Sequence, residues 1–335
     1  DSLLSNDPML RTSEVGITVF DLTTGESLFQ YQDEKLYRPA STEKVVTSVT
    51  ALATLGLDYT MDTRLQYTGK IEGDTLKGNL YLVGGFDPEF MDEDLDSLVD
   101  VIAQSGIRYI ADTLAADVSM MDSVYWGNGW SWDDVPDSFQ PYMSPLMLNR
   151  GCVDVTVIPA EKDSLPIIEC VPASDYYQVD NDGVSNNPQA GNLRITRNWL
   201  HNGNLIHVSG NVSKKTTRTL SIYTSKDFFF HTFIHRLKEK GIEVNTTAFA
   251  DCPENDSLKV VSPLFTLQRP IGEVLTQMMK ESDNLCAESM FYHLALHHTQ
   301  QKRVKDNDGS DAINHFVKES LGLNPEYYNI VDGSG

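Results

Sequence analysis

Helical periodicity concentrates towards the two ends of the chain, and about 200 mostly strand-like residues lie between them. A stretch of that length far exceeds a loop, so it must fold as a unit inserted into a helical body. The first helix opens at Pro39-Ala40-Ser41. Val45, Val46, Val49, Leu52, Ala53 and Leu55 give it a broad apolar face, and Gly56 stops it. With Ala51 also apolar, this helix is expected to be largely buried. Helical texture returns at Ile271, with Val274, Leu275, Met278 and Met279 on one side. It pauses at Ser282-Asp283-Asn284 and resumes through Ala287, Met290, Phe291, Leu294 and Ala295.

The remaining segments follow from alternation and turn residues. A β-hairpin is expected over 14–31, turning at Thr24-Gly25. Strands are expected at 63–67, 76–83, 153–158, 193–197, 205–212 and 218–223, with a strand pair over 107–118. Helices are expected at 95–105 and 228–240, the second leading into a strand that ends at Phe249. The aromatic and glycine-rich run YWGNGWSWDD, residues 125–134, lacks periodicity and predicts an ordered loop. The expected architecture is α/β (α+β). Residues 1–61 and 262–335 form one domain, and 62–261 form a mostly β insertion of two subdomains.

Charge narrows the function classes. Forty-eight acidic residues against 26 basic ones give a formal charge of −22. Such a chain repels phosphate backbones and anionic lipid, which argues against nucleic-acid binding. The most apolar run, 45–57, is interrupted by threonine and serine and is too short to span a bilayer. The N-terminus has neither a basic start nor an apolar core, so any secretory signal is expected to have been removed already. Cys152, Cys170, Cys252 and Cys286 show no zinc-like spacing. Cys152 and Cys170 flank an expected strand–turn–strand, compatible with a disulfide or with buried free thiols.

The chain contains a single SxxK, Ser41-Thr42-Glu43-Lys44. On a helix, residues i and i+3 share a face, so the Lys44 amine can reach the Ser41 hydroxyl. A serine at a helix N-terminus also sits beside N–H donors and the positive dipole end, which suit a developing oxyanion. An isolated match is better explained by an N-cap serine and a solvent lysine. Here, however, the lysine opens a helix expected to be buried, where it needs a reason. Of three SxN triplets, those at Ser185 and Ser209 lie in Gly/Asn-rich or strand-like surroundings, where turn chemistry explains them. Ser282-Asp283-Asn284 interrupts two apolar helical segments. It fits either a helix break with a capping residue or a hydroxyl relay beside a substrate-orienting amide.

Weaker candidates remain. His293 and His297 form an i, i+4 pair without a third ligand, best explained as a solvated helix end, so no metal or cofactor is called for. Asn211, Asn245 and Asn255 head glycosylation-type triplets. Asp133-Asp134 fits a surface turn, with contact to a ligand amine as the other reading.

Together these residues resemble the class C low-molecular-mass penicillin-binding proteins, the serine D-alanyl-D-alanine carboxypeptidase/endopeptidases. The matching strings are RPASTEKVVTSVTAL around Ser41, LYLVGGFDPEF at 80–90, SPLMLNRGCVDV at 144–155, MKESDNLCAE at 279–288 and the closing VDGSG. They follow the family's order, and Ser282, 241 residues after Ser41, matches its long insertion. The resemblance implies a penicillin-binding/serine β-lactamase-like domain interrupted by that insertion. It also implies peptidoglycan stem peptides as substrate, β-lactams as acylating agents, and a periplasmic or secreted location. Ser41 would form the acyl-enzyme and Lys44 would take its proton. Ser282 would relay a proton to the leaving D-alanine, and Asn284 would hold the substrate amide. Lys44 must then lie well below the usual lysine pKa of about 10.4. Burial would achieve this, while the chain's acidity opposes it. Asp134 would face the substrate peptide.

The family's third motif, usually KTG, lies downstream of a DGSG-like segment and has no counterpart in this sequence. The C-terminal part of the fold is therefore expected to be absent from this chain. That leaves a non-catalytic peptidoglycan binder as one alternative. A class A β-lactamase is another, but Pro145 stands where the deacylating glutamate would precede Leu148-Asn149.

Overall fold

The computed structural model describes residues 2–253 and 260–335. Two five-residue helices, α1 (Ser2–Asn6) and α2 (Pro8–Thr12), lead into the hairpin β1 (Ile17–Asp21) and β2 (Glu26–Tyr31). A 3-10 turn, Ala40–Thr42, feeds α3 (Glu43–Leu55). Then come β3 (Thr60–Thr68), β4 (Lys70–Glu72), β5 (Thr75–Lys77), β6 (Leu80–Val83), α4 (Asp92–Gln104) and β7 (Tyr109–Asp117). The middle of the chain forms β8 (Cys152–Ile158), β9 (Ile167–Val171), β10 (Gln178–Ser185), β11 (Arg194–Arg197), β12 (Leu205–Val212) and β13 (Thr216–Ser221). Helix α5 (Ser225–Glu239), β14 (Glu243–Phe249) and β15 (Val261–Pro270) follow. The chain then turns helical with α6 (Ile271–Lys280), α7 (Asn284–Thr299) and α8 (Asp306–Leu321).

Beyond the terminal hairpin, the described strands form three sheets. The largest has the order β15-β3-β6-β7-β5-β4, with β14 added parallel to β7. The others are β10-β12-β11 and the antiparallel β13-β8-β9. Helix α4 shows why its residues fold as they do. Leu95, Leu98, Val99 and Ile102 recur at helical spacing and are all buried, and three acidic residues occupy its first turn. They join a core with Leu65, Leu80, Leu114, Val153, Ile206 and Phe228 that spans the sheets and α5. A second core gathers α6, α7 and α8 around Ala51, and the inserted region adds Phe86, Met121, Met143 and Met147 to it. Helix α7 is buried from Leu285 to Ala295 and is the axis of this second core.

Several expectations are revised. The helix after Ser41 presents the opposite face to the one its apolar residues suggest. Glu43, Lys44, Thr47, Ser48, Thr50 and Ala51 are buried, whereas Val45 is 50% and Val49 47% exposed. The expected pair over 107–118 is one strand, β7 (Tyr109–Asp117). The polar Asp112-Thr113 step stays within it because Asn79 and Thr246 bond its backbone. His293 is buried rather than solvated: its Nδ1 meets the Tyr59 hydroxyl at 2.8 Å and its Nε2 the Gly85 carbonyl at 3.0 Å. Burial pushes its pKa down to about 4. The four cysteines are free thiols, and β8 pairs β9 with Cys170 opposite Val155. The Asn255 triplet lies outside the described residues.

Candidate active site

Ser41 sits in the 3-10 turn that starts α3, exposed to solvent, and Ala40 before it has a left-handed φ of 47°. One turn on, Lys44 is only 1% exposed. Its Nζ donates to Ser41 Oγ at 2.8 Å, to Asn284 Oδ1 at 2.7 Å and to the Ser334 carbonyl at 3.3 Å. All three donor positions of an ammonium are thus used. Burial lowers the Lys44 pKa, while the carboxylates of Glu288, Asp283 and Asp332 pull it back up. Both influences expected from the sequence are present, and burial prevails.

Asn284 is positioned by the break between α6 and α7. Ser282 takes a left-handed φ of 56°, and Asp283 caps α7 by accepting from the Cys286 N–H at 2.9 Å. The other Asp283 oxygen accepts from Arg150 at 3.1 Å, and Arg150 also holds Glu89 at 2.7 Å. Asn284 completes its own bonding by donating Nδ2 to the Phe139 carbonyl at 3.2 Å. One amide therefore links Lys44 to the loop that carries Phe139.

The segment 332–335 closes the far side. Thr47 Oγ1 donates to the Gly333 carbonyl at 2.8 Å, and the Gly333 N–H points at the buried Glu288 carboxylate at 3.2 Å. A side chain at position 333 would lie 2.5 Å from the Ala287 carbonyl, so only glycine fits this approach. Asp332 Oδ1 accepts from the Ser334 and Gly335 N–H groups. Burial, with Asp332 nearby, pushes the Glu288 pKa up. The same two causes raise Glu43 to about 7, and its Oε1 is buried without a partner among the described residues.

Ser41, Lys44 and Asn284, identified from two short motifs, therefore meet in direct contact. Ser282 stands apart from this cluster. It is exposed, without a side-chain partner among the described residues, and lines a cavity of about 390 Å³ with Phe139, Arg150, Asp283 and Asn284. Asp134 ends a 3-10 turn, Trp132–Asp134, on the same loop as Phe139, and its carboxylate makes no hydrogen bond or ion pair among the described residues. Among the described residues no His, Cys, Asp and Glu group could hold a metal. Arg150, Glu89, Thr47 and Glu288 were not singled out from the sequence, although all four lie in the strings that carried the resemblance.

The family model for the D-Ala-D-Ala carboxypeptidase 3 (S13) family matches residues 1–335. A D-alanyl-D-alanine carboxypeptidase of Actinomadura sp. is 26% identical over 301 residues, covering 87% of this chain and 55% of that protein. The D-alanyl-D-alanine carboxypeptidase DacB of Haemophilus influenzae is 26% identical over 331 residues, covering 96% and 67%. The crystal structure of penicillin binding protein 4 from Haemophilus influenzae superposes with a TM-score of 0.78 at 25% identity, over 95% of this chain and 70% of that one.

Proposed function

The chain belongs to the D-Ala-D-Ala carboxypeptidase 3 (S13) family, and from that premise we propose that Ser41 is the nucleophile of a serine hydrolase acting on D-Ala-D-Ala ends of peptidoglycan stem peptides. The observation that carries this reading is the buried Lys44 amine, bridging Ser41 and Asn284 at 2.8 and 2.7 Å. As a free amine, Lys44 takes the Ser41 proton while Oγ bonds to the carbonyl carbon of the penultimate D-alanine. The amino end of α3 favours the negative charge that forms on the carbonyl oxygen. The C–N bond then breaks, the terminal D-alanine leaves with a proton, and an ester on Ser41 remains for water to hydrolyse.

Ser282 serves as the relay for that leaving proton. Its exposure and its place in the cavity beside Asn284 support that role. Asn284 orients the substrate amide, exchanging its Phe139 bond for one to the peptide. Asp134 meets a basic group of the stem peptide from the aromatic loop. Cleavage of peptide cross-links uses the same chemistry on a longer leaving group. Residues 1–61 and 262–335 form the catalytic body and 62–261 the insertion; the second hydrophobic core, gathered on α6, α7 and α8, supports this division in outline, while β15 crosses its boundary by pairing with β3. The substrate places the protein in the periplasm or outside the cell, and no helix of the described residues is long and apolar enough to cross a membrane.

Incubation with benzylpenicillin followed by intact mass measurement tests the proposal. One adduct is expected, lost in Ser41→Ala. No adduct, or an adduct that survives the substitution, overturns it. Rapid steady-state destruction of the antibiotic would instead mark a β-lactamase.

A further inference from the structure

The aromatic loop lines a second cleft, which none of the chemistry above uses. Trp126, Trp132, Val135, Tyr142, Trp199, Leu200 and Asn202 surround about 290 Å³. The Trp132 and Trp199 rings lie 5.2 Å apart and are tilted by 41°, forming a V-shaped aromatic floor. Trp126 packs on Tyr142 at 5.3 Å and forms the wall behind it. Trp132 and Leu200 are each 65% exposed. So much open apolar surface on a soluble face marks a contact site.

Its polar equipment is selective. The Tyr142 hydroxyl donates to Asn202 Oδ1 at 3.3 Å, which leaves the Asn202 amide nitrogen without a protein acceptor among the described residues. The indole N–H groups of Trp132 and Trp199 likewise have none. No charged side chain lines the cleft, although the chain carries a net −22. A neutral ligand with one apolar ring face and a rim of hydroxyl, carbonyl or acetamido oxygens complements such walls. A pyranose has that form: its axial C–H bonds pack on an indole face while its equatorial oxygens reach donors at the edge. The volume lies near the lower end of the ~300–1,000 Å³ range for small-molecule sites, which suits one or two sugar rings.

One loop connects the cleft to the candidate active site. The loop from Trp132 ends at Phe139, whose carbonyl accepts from Asn284, and Gln140 Nε2 ties it internally to the Ser131 carbonyl at 2.6 Å. We infer that this cleft is a saccharide subsite that holds N-acetylated sugars of the glycan strand from which the stem peptide hangs. The inference rests on the proposed peptidoglycan activity, and it adds glycan recognition to the inserted region.

Isothermal titration of the protein with N-acetylglucosamine oligomers and with a peptide-free muramyl disaccharide is the test. Saturable binding is expected. It should weaken by at least about tenfold in Trp199→Ala and be largely restored in Trp199→Phe, which keeps an aromatic face. Far-UV circular dichroism confirms that both variants fold. No saturable sugar binding, equal binding by Trp199→Ala, or binding only of a sugar-free stem peptide each overturns the inference. Penicillin acylation of the wild-type protein is read alongside. Acylation without sugar binding sinks the subsite alone, whereas sugar binding without acylation sinks the hydrolase reading and leaves the subsite standing.

Discussion

At Lys44, burial and surrounding charge act in opposite directions on one proton. The amine is desolvated, which favours the neutral base, yet Glu288, Asp283 and Asp332 favour the ammonium. Replacing Lys44 with methionine keeps the bulk and removes the proposed base. Acylation by benzylpenicillin should then fall by about 10²–10⁴, measured as the rate of adduct formation. Asp332→Asn keeps an acceptor for the Ser334 and Gly335 N–H groups but removes a charge that stabilises the ammonium. The limb of the rate–pH profile that reports Lys44 deprotonation should therefore move to lower pH, and a move upward would contradict this account. Ser41, Lys44 and Asn284 were legible because their chemistry is written in local spacing. Thr47 and Glu288 were not, since their roles depend on a loop more than 40 residues further along the chain than either. Nothing local marks them.

At the scale of elements, α3 and the start of α7 decide the geometry. Pattern alone placed the apolar side of α3 inward, yet its polar side is the buried one. Thr50 bonds the Val46 carbonyl, Ser48 the Val45 carbonyl and Thr47 the Gly333 carbonyl, so these hydroxyls enter the interior with partners. Periodicity finds the stripe but cannot say which stripe has partners waiting. The hairpin, most long strands, α5 and the break before α7 were readable because turn residues and alternation mark them. Helix α8 was not, because its first turns, DNDGSDAINH, are mostly polar. At α7, Arg150 clamps Glu89 and Asp283 together. Arg150→Ala should cost about 2 kcal/mol in urea unfolding and slow acylation by loosening Asn284. Arg150→Lys should recover little of either, because one ammonium cannot reproduce the forked contact.

For the molecule as a whole, buried acids set the dependence of stability on pH. Glu43 has an ordinary value of 4.5 and a folded value of about 7. Between those limits the unfolded chain has released the proton and the folded chain retains it. Its contribution therefore makes the fold less stable as pH rises through that window. Glu43→Gln removes the slope, so the variant should match wild type near pH 4 and exceed it near pH 8, by up to about 3 kcal/mol. Urea titrations at the two pH values measure the difference, and a gap that fails to widen would refute the assignment. His293 acts in the opposite sense, since its folded value of about 4 lies below 6.5, and it destabilises the fold as pH drops below 6.5.

The three contacts of Lys44 also carry a kinetic consequence. Two of them join residues 240 and 290 positions apart in the chain. Contacts so distant in sequence pay their loop-closure entropy last, after local helices and hairpins have formed. During refolding, the capacity of Ser41 to capture a β-lactam should lag behind recovery of the circular dichroism signal. Simultaneous recovery would show that the long-range contacts form with the rest. If the lag is found, antibiotic labelling becomes a clock for the last step of folding, because Lys44, the proposed base, gains its long-range partners only when Asn284 and Ser334 have docked on it.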